Sequence, residues 1–282
     1  MGVMRGSGVR RAGWAALLLV LLIGGLALIG YGNARADPVV RRLSVRLPGW
    51  PAGAGPVRVA LLSDIHLGSP AMDDGRLRRI VGQVNALRPD LVLLAGDYVF
   101  GHVPANGARF AGGLTGPLGG LGAPLGVVAV LGNHDHWTAP TAVERALRSA
   151  GATVLANDAV RRGPLAIVGV DDAFSGHARL DAALAAARGL GGAPVLLTHT
   201  PGALMLAGDA PRLVLAGHTH CGQVVLPLVG AVGRRGLFNP RYRCGAVRDP
   251  GRVTIVTAGL GTSIAPVRFG APPDLWLLTL EP

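Results

Sequence analysis

Lysine is absent from this chain: all 27 basic residues are arginine, against 16 acidic ones, for a formal charge of +11. Such an excess ordinarily points to nucleic acid or an anionic membrane as partner. Here the arginines are scattered in ones and twos and aromatic residues make up only 4% of the chain, so no stacking platform is interleaved with them. That combination argues against single-strand binding, and the missing lysine reads as a coding bias toward GC-rich codons. Cysteine is nearly absent too. Cys221 and Cys244 are the only two, too few for a disulfide framework and without the C-x-x-C spacing of a structural zinc site. No G-x-S-x-G stretch occurs, which removes the usual nucleophile elbow of a serine hydrolase.

What the chain has in quantity is apolar residues, 50% of 282 positions, enough to bury a sizeable core. The first apolar run, WAALLLVLLIGGLALIGY from Trp14 to Tyr31, follows Arg5, Arg10 and Arg11 and carries no charge. A helix of that length just spans a hydrocarbon core. Being apolar on every face behind a cationic leader, it does not read as a core helix of a soluble protein. The sequence therefore predicts a cationic leader over 1–13 and a transmembrane anchor or signal segment over 14–31. Ala34 and Ala36 offer a signal-peptidase cut after Ala36, while the length of the run favours a retained single-pass anchor. Arg35, Arg41, Arg42 and Arg46 rival the arginines before the run, so charge alone does not fix the orientation; the reading taken is a cytoplasmic N-terminus with the following domain exported. Pro38, Pro48, Pro51 and Pro56, with several glycines, make 32–56 a tether holding at most one short edge strand. The folded domain is expected over 57–282.

Within that domain short β-rich runs (VRVALLS, LVLLAG, GVVAVLG, LAIVGV, PVLLTH, RLVLAGH, VTIVTAG) alternate with longer amphipathic ones, the pattern of an α/β fold with helices covering sheets. Asp73 or Asp74 can cap the first of these helices and Pro89 stops it. Nearly every suggestive polar residue directly follows a β-rich run, where open α/β folds place their sites: Asp64 and His66 in SDIHLG, Asp97 in AGDYV, Asn133, His134 and Asp135 in LGNHDHW, His199 in LLTHTP, and His218 and His220 in LAGHTHCGQ. On extended backbone, i and i+2 side chains point the same way, so Asp64 with His66, and His218 with His220, can each converge. Oxygen and imidazole donors together suit Mn, Fe or Zn. Three oxygen donors and four histidines exceed the needs of one ion and fit two if a carboxylate bridges. His102, His136 and His177 read as surface or loop residues, with His136 nearest the cluster.

The ordered set D-x-H, G-D, G-N-H-D, H and G-H-x-H resembles the calcineurin-like metallophosphoesterase superfamily, over about Val57 to Leu280. The stretches LAGHTHCGQVVLP and GLGTSIAPVRFGAPPDLWLLTL resemble its membrane-tethered bacterial branch, with Cys221 standing where that branch usually has glycine. The resemblance implies a four-layer α/β/β/α sandwich of two facing mixed sheets and two divalent metal ions, Mn, Zn or Fe. Asp64, His66, Asp97 and His220 would hold one ion and Asp97, Asn133, His199 and His218 the other. His134 would act as proton donor to the leaving oxygen, with Asp135 holding its ring, and a metal-bridging hydroxide would attack the phosphorus in line. The substrates implied are phosphorylated or lipid-linked diphosphate compounds at a bacterial inner membrane, UDP-2,3-diacylglucosamine of lipid A biosynthesis among them. Arg268 in PVRFG is a candidate substrate contact, and Arg234, Arg235, Arg241 and Arg243 lie in an apolar loop suited either to lipid headgroups or to a surface strand pair. A membrane-tethered scaffold without catalysis and a nucleic-acid phosphodiesterase are the competing classes. For the thiol of Cys221, inert packing is the expectation.

Overall fold

The β-rich runs become strands whose alternate side chains enter two different cores. The computed structural model describes residues 5–201, 211–232 and 239–282, with side chains from residue 10 onward. In chain order the elements are α1 (Arg5–Arg35), β1 (Val39–Arg46), β2 (Val57–Leu62), α2 (Asp74–Ala86), β3 (Leu91–Ala95), α3 (Pro104–Phe110), α4 (Gly112–Leu118), β4 (Val127–Val130), α5 (Asn133–Thr138), α6 (Pro140–Ser149), β5 (Ala152–Val154), β6 (Asp158–Arg162), β7 (Leu165–Gly169), α7 (Leu180–Ala187), β8 (Ala193–Leu197), β9 (Leu213–Ala216), β10 (Val225–Leu226), β11 (Gly230–Ala231), β12 (Gly245–Asp249), β13 (Arg252–Val256) and β14 (Asp274–Glu281). One mixed sheet runs β1-β14-β2-β3-β4-β5 and the other β12-β13-β9-β8-β7-β6.

Val59 and Leu61 of β2 and Leu91 and Leu93 of β3 meet Val195 and Leu197 of β8 and Leu213 and Leu215 of β9 in a core between the sheets. Ala60, Leu62, Val92 and Leu94 face outward onto Leu77, Ile80 and Val84 of α2 and Val143 and Leu147 of α6. Leu196 and Val214 face outward on the second sheet and pack with Ala183 of α7. The result is the expected α/β fold with two facing mixed sheets and helices on both outer faces. A strand buried on both sides needs continuous apolar sequence, which is why these runs do not alternate. Asp73 caps α2, accepting the Arg76 N–H at 2.7 Å.

The segment expected as a tether over 32–56 holds one edge strand, longer than the short one foreseen. Residues 39–46 form an eight-residue strand paired in parallel with β14 from Val39↔Asp274 to Arg46↔Glu281. Its charged sequence VVRRLSVR suits an edge strand, exposed on one side, but a partner 235 residues away is invisible to local patterning. α1 likewise runs on to Arg35, and Arg10–Arg35 is apolar and long enough to cross a membrane. Arg76, fully buried, receives the end of that helix: its guanidinium donates to the carbonyls of Arg35 (3.2 Å), Ala36 (2.9 Å) and Leu260 (2.9 Å).

Candidate metal centre

The parallel strands β2, β3, β4, β8 and β9 deliver their polar followers to one end of the two sheets. Asp64, His66, Asp97, Asn133, His134, Asp135, His199, His218 and His220 are all buried there. The backbone route differs from the extended one expected for the i, i+2 pairs. Asp64 (φ 53°), His66 (φ 49°), Asp97 (φ 58°), His218 (φ 70°) and His220 (φ 50°) are left-handed, a conformation that costs a non-glycine residue about 1–3 kcal/mol and concentrates at functional sites. Glycines make the approach possible: a Cβ at Gly132 would collide with Asp97 Oδ1, and one at Gly217 with Ser63 Oγ and Asp64 Oδ2.

Donor atoms converge in three sets, Asp64–His66–His220, His66–Asp97–His134 and Asp97–His199–His218, each within 4.8 Å. His66 Nε2 lies 3.2 Å from His220 Nε2, which is 3.3 Å from Asp64 Oδ1. Asp97 Oδ2 stands 3.6 Å from His66 Nε2 and 3.3 Å from His199 Nε2. His199 Nε2 is in turn 3.2 Å from both Asn133 Oδ1 and His218 Nδ1. His218 and His220 thus turn to different sets instead of sharing one.

Burial raises the Asp64 carboxyl to about 7, against the lowering influence of His199. Burial also disfavours charge on Asp97, but His199, His134 and His66 outweigh it and hold that carboxyl well below its ordinary range. His66 is pushed down to about 3 by burial, and His220 well below its ordinary value by burial, His66 and Arg268. Neutral imidazoles at His66 and His220 and an ionised Asp97 are states a cation requires, whereas at His199 burial opposes charge but Asp97 raises the imidazole well above its ordinary value. The donor set fits metal in a second way. Buried Asp64 Oδ1 has no hydrogen-bond partner, and imidazole nitrogens 3.2 Å apart match ligands about 2.0–2.1 Å from a shared ion. His199 Nδ1 donates to the Ala95 carbonyl at 2.7 Å, which leaves Nε2 as the ligating atom.

Three expectations are corrected. Asp135 does not hold the ring of His134; it accepts the N–H groups of Asp97, Tyr98 and Gly132, each at 2.9 Å, and so fixes the turns beneath the site. The ring is held by the Gly101 carbonyl, 2.7 Å from His134 Nδ1. Arg268, read as a substrate contact, is fully buried; it donates to the carbonyls of Ala258, Gly261 and Ala271 and lies 3.3 Å from His220 Nδ1. Cys221 is not a packed thiol, since it forms a disulfide with Cys244. Arg234 and Arg235 lie outside the described residues; Arg241 pairs with Asp249, and the Arg243 carbonyl accepts from Thr219.

Sequence reasoning passed over the aromatic side of the site. His102 packs 4.6 Å from His134, Trp137 5.2 Å from His134, and Phe174 4.8 Å from His218. Phe174 follows β7 in VDDAFSG, so the strand-end rule applied to that run would have reached it. His136 Nε2 lies 2.8 Å from Asp171 Oδ1 and its ring stacks on His177 at 3.8 Å.

A family model described as Calcineurin-like phosphoesterase matches residues 57–222. Phosphodiesterase YaeI of Escherichia coli is 31% identical, over 83% of this chain and 86% of its own. The uncharacterized metallophosphoesterase YkuE of Bacillus subtilis is 29% identical, over 82% and 81%. A transmembrane protein with metallophosphoesterase domain from Danio rerio is 32% identical over 94% of this chain. The chain spans 62% of the length of that fish relative and 46% of a Caenorhabditis elegans one.

Proposed function

Because this chain belongs to the calcineurin-like phosphoesterases, we propose that it cleaves phosphoester or pyrophosphate bonds using two divalent cations held by Asp64, His66, Asp97, Asn133, His199, His218 and His220. The observation that carries this reading is the position of Asp97, which belongs to two of the three donor sets and stands between His66 and His199. Cations bound there would acidify a water and take up charge on the phosphate oxygens, and Mn, Fe and Zn all accept such donors.

The chain's own groups supply the rest. Asp64 Oδ2 accepts the His218 N–H (3.0 Å) and Asp97 Oδ1 the His134 N–H (2.9 Å), so each carboxylate is clamped by backbone and presents its other oxygen to the site. His134, with Nδ1 donating to Gly101, keeps Nε2 for a proton delivered to the leaving oxygen. Trp137 and Phe174 offer ring faces for the part of a substrate beyond the phosphate.

In this reading α1 holds the chain in a bacterial inner membrane, with the domain on the outer side. The disulfide between Cys221 and Cys244 supports an oxidising compartment, and a domain placed there meets envelope phosphoesters instead of UDP-linked lipids made in the cytoplasm. The test is the full chain in detergent, assayed for metal stoichiometry and for hydrolysis of bis-p-nitrophenyl phosphate and UDP-2,3-diacylglucosamine. Two ions per chain are expected, with turnover of the diester falling about 10²–10⁴-fold in His134→Ala at unchanged metal content. A chain that binds no metal and turns over neither compound is a scaffold. Turnover of the UDP-lipid would return the domain to the cytoplasm.

A further inference from the structure

The apolar length of α1 sets a height. From Ala12 to Tyr31 no charged residue occurs, and about 20 residues at 1.5 Å each cross a hydrocarbon core. Trp14, Leu18, Leu22 and Leu28 are exposed, whereas Gly30 and Ala34 are buried against the domain. Gly30 has no room for a side chain because Phe269 and Val267 lie on it. Its carbonyl accepts the Arg268 N–H at 2.9 Å, and Asn33 Nδ2 donates to the Arg268 carbonyl at 3.2 Å. The apolar stretch of α1 therefore ends against the 263–270 loop. In any bilayer that α1 crosses, that loop stands at the hydrocarbon boundary.

The β10–β11 hairpin is bound to the same loop. Val225 N–H donates to the Phe269 carbonyl (2.8 Å), Phe269 N–H to the Gln223 carbonyl (3.0 Å), and Gln223 Nε2 to the Ala265 carbonyl (2.8 Å). From Val224 to Val232 the chain carries no charge. At the tip, the Val229 N–H donates to the Pro227 carbonyl at 2.7 Å, closing a three-residue turn around Leu228, whose φ is +64° and which is fully exposed. Turns with positive φ select Gly, Asn or Asp, and neither packing nor backbone preference in this fold asks for a leucine there. Leu226, Val232 and Ile264 are exposed beside it. Clustered apolar exposure marks an interaction surface, and its position at the end of α1 names the partner.

We propose that the β10–β11 hairpin and Ile264 rest in the lipid interface where α1 leaves the bilayer, so that the domain lies against the membrane surface and is held there at two points. The guanidinium of Arg268, 3.3 Å from His220 Nδ1, then separates the metal centre from this contact by the length of one side chain. The inference rests on α1 being retained in a membrane, as read above, and does not depend on catalysis.

The full chain in phosphatidylcholine vesicles, with and without lipids brominated near the headgroup, tests it. Emission gained over wild type by Leu228→Trp, and separately by Ile264→Trp, should be roughly halved by the brominated lipid, as expected for groups about 5–10 Å into the interface. Ser149→Trp, exposed at the end of α6 on the far edge of the first sheet, should be unaffected. Turnover of bis-p-nitrophenyl phosphate in detergent verifies that each variant is folded and reports separately on the catalytic reading. Quenching of Leu228→Trp and Ile264→Trp no greater than that of Ser149→Trp overturns the proposal, as does recovery of the chain away from the vesicles on flotation.

Discussion

At the strand ends nine polar side chains are buried, whereas along α1 and the β10–β11 hairpin apolar side chains stand in solvent. Both arrangements run against the ordinary distribution of a folded chain, and they are stabilised differently. Around the metal centre nearly all of the cost is met inside the molecule: Asp135 clamps three N–H groups, the Ala95 and Gly101 carbonyls fix two rings, and glycines let backbone pass close to carboxylates. What stays unmatched is a set of donor atoms pointing at one another, which asks for a cation. On the α1 side nothing within the described residues covers Leu228 or Ile264. Unsatisfied groups of opposite polarity each specify what the molecule still lacks.

The largest effect is expected from Asp97→Ala. Removing the carboxylate between the donor sets should empty the centre and lower phosphodiester turnover by at least about 10³-fold, read by elemental analysis alongside kinetics. Wild-type metal content in that variant would overturn the proposal that Asp97 lies between two ions. Next comes Arg268→Met, which touches both regions. Carbonyls of Ala258, Gly261 and Ala271 lose their donor, at about 1–3 kcal/mol for each left unmatched, so a loss of about 4 kcal/mol is expected in urea melts of the full chain.

The parts of this architecture that were legible in sequence are those governed by short-range rules. Continuous apolar runs gave strands buried on both faces, and polar residues placed just after them pointed to Asp64, Asp97, Asn133, His199 and His218. The orientation of those residues was not legible, because a left-handed φ at Asp64 or His66 is imposed by tertiary contact with Gly217, Gly259 and the β3 exit and leaves no periodic trace. Long-range partnerships were hidden for the same reason. β1 pairs with the last strand, Asp135 serves three backbone N–H groups in two turns instead of its neighbour's ring, and Cys221 meets Cys244 where Thr219 also donates to the Arg243 carbonyl.

That disulfide sharpens the comparison at its boundary, since it ties the turn carrying His220 to the segment that follows the apolar hairpin. Cys221→Ser with Cys244→Ser should cost about 2–4 kcal/mol for a loop with a sequence separation of 23. Wild-type metal content in the folded fraction is expected alongside. The smallest effect expected is at His136. Burial opposes its charge, but Asp171 raises its pKa above the ordinary value, and Asp171 is lowered in turn. A raised histidine contributes stability that is complete below its unfolded pKa, near 6.5, and fades as pH rises through the folded value. Stability of wild type over His136→Gln should therefore be greatest near pH 6, at about 1 kcal/mol or less, and shrink as pH rises beyond it. Thermal melts across pH measure it.

α1 ends at Arg35 and β1 begins at Val39, so three residues join the apolar helix to the sheet, and Arg76 grips the joint from inside. For a chain anchored by that helix, the joint removes the slack that a long tether would allow. The centre would travel in two dimensions at a constant altitude above the lipid, meeting reactants by lateral diffusion, and a phosphate held farther away than that altitude would stay out of its reach however tightly the ions could bind it.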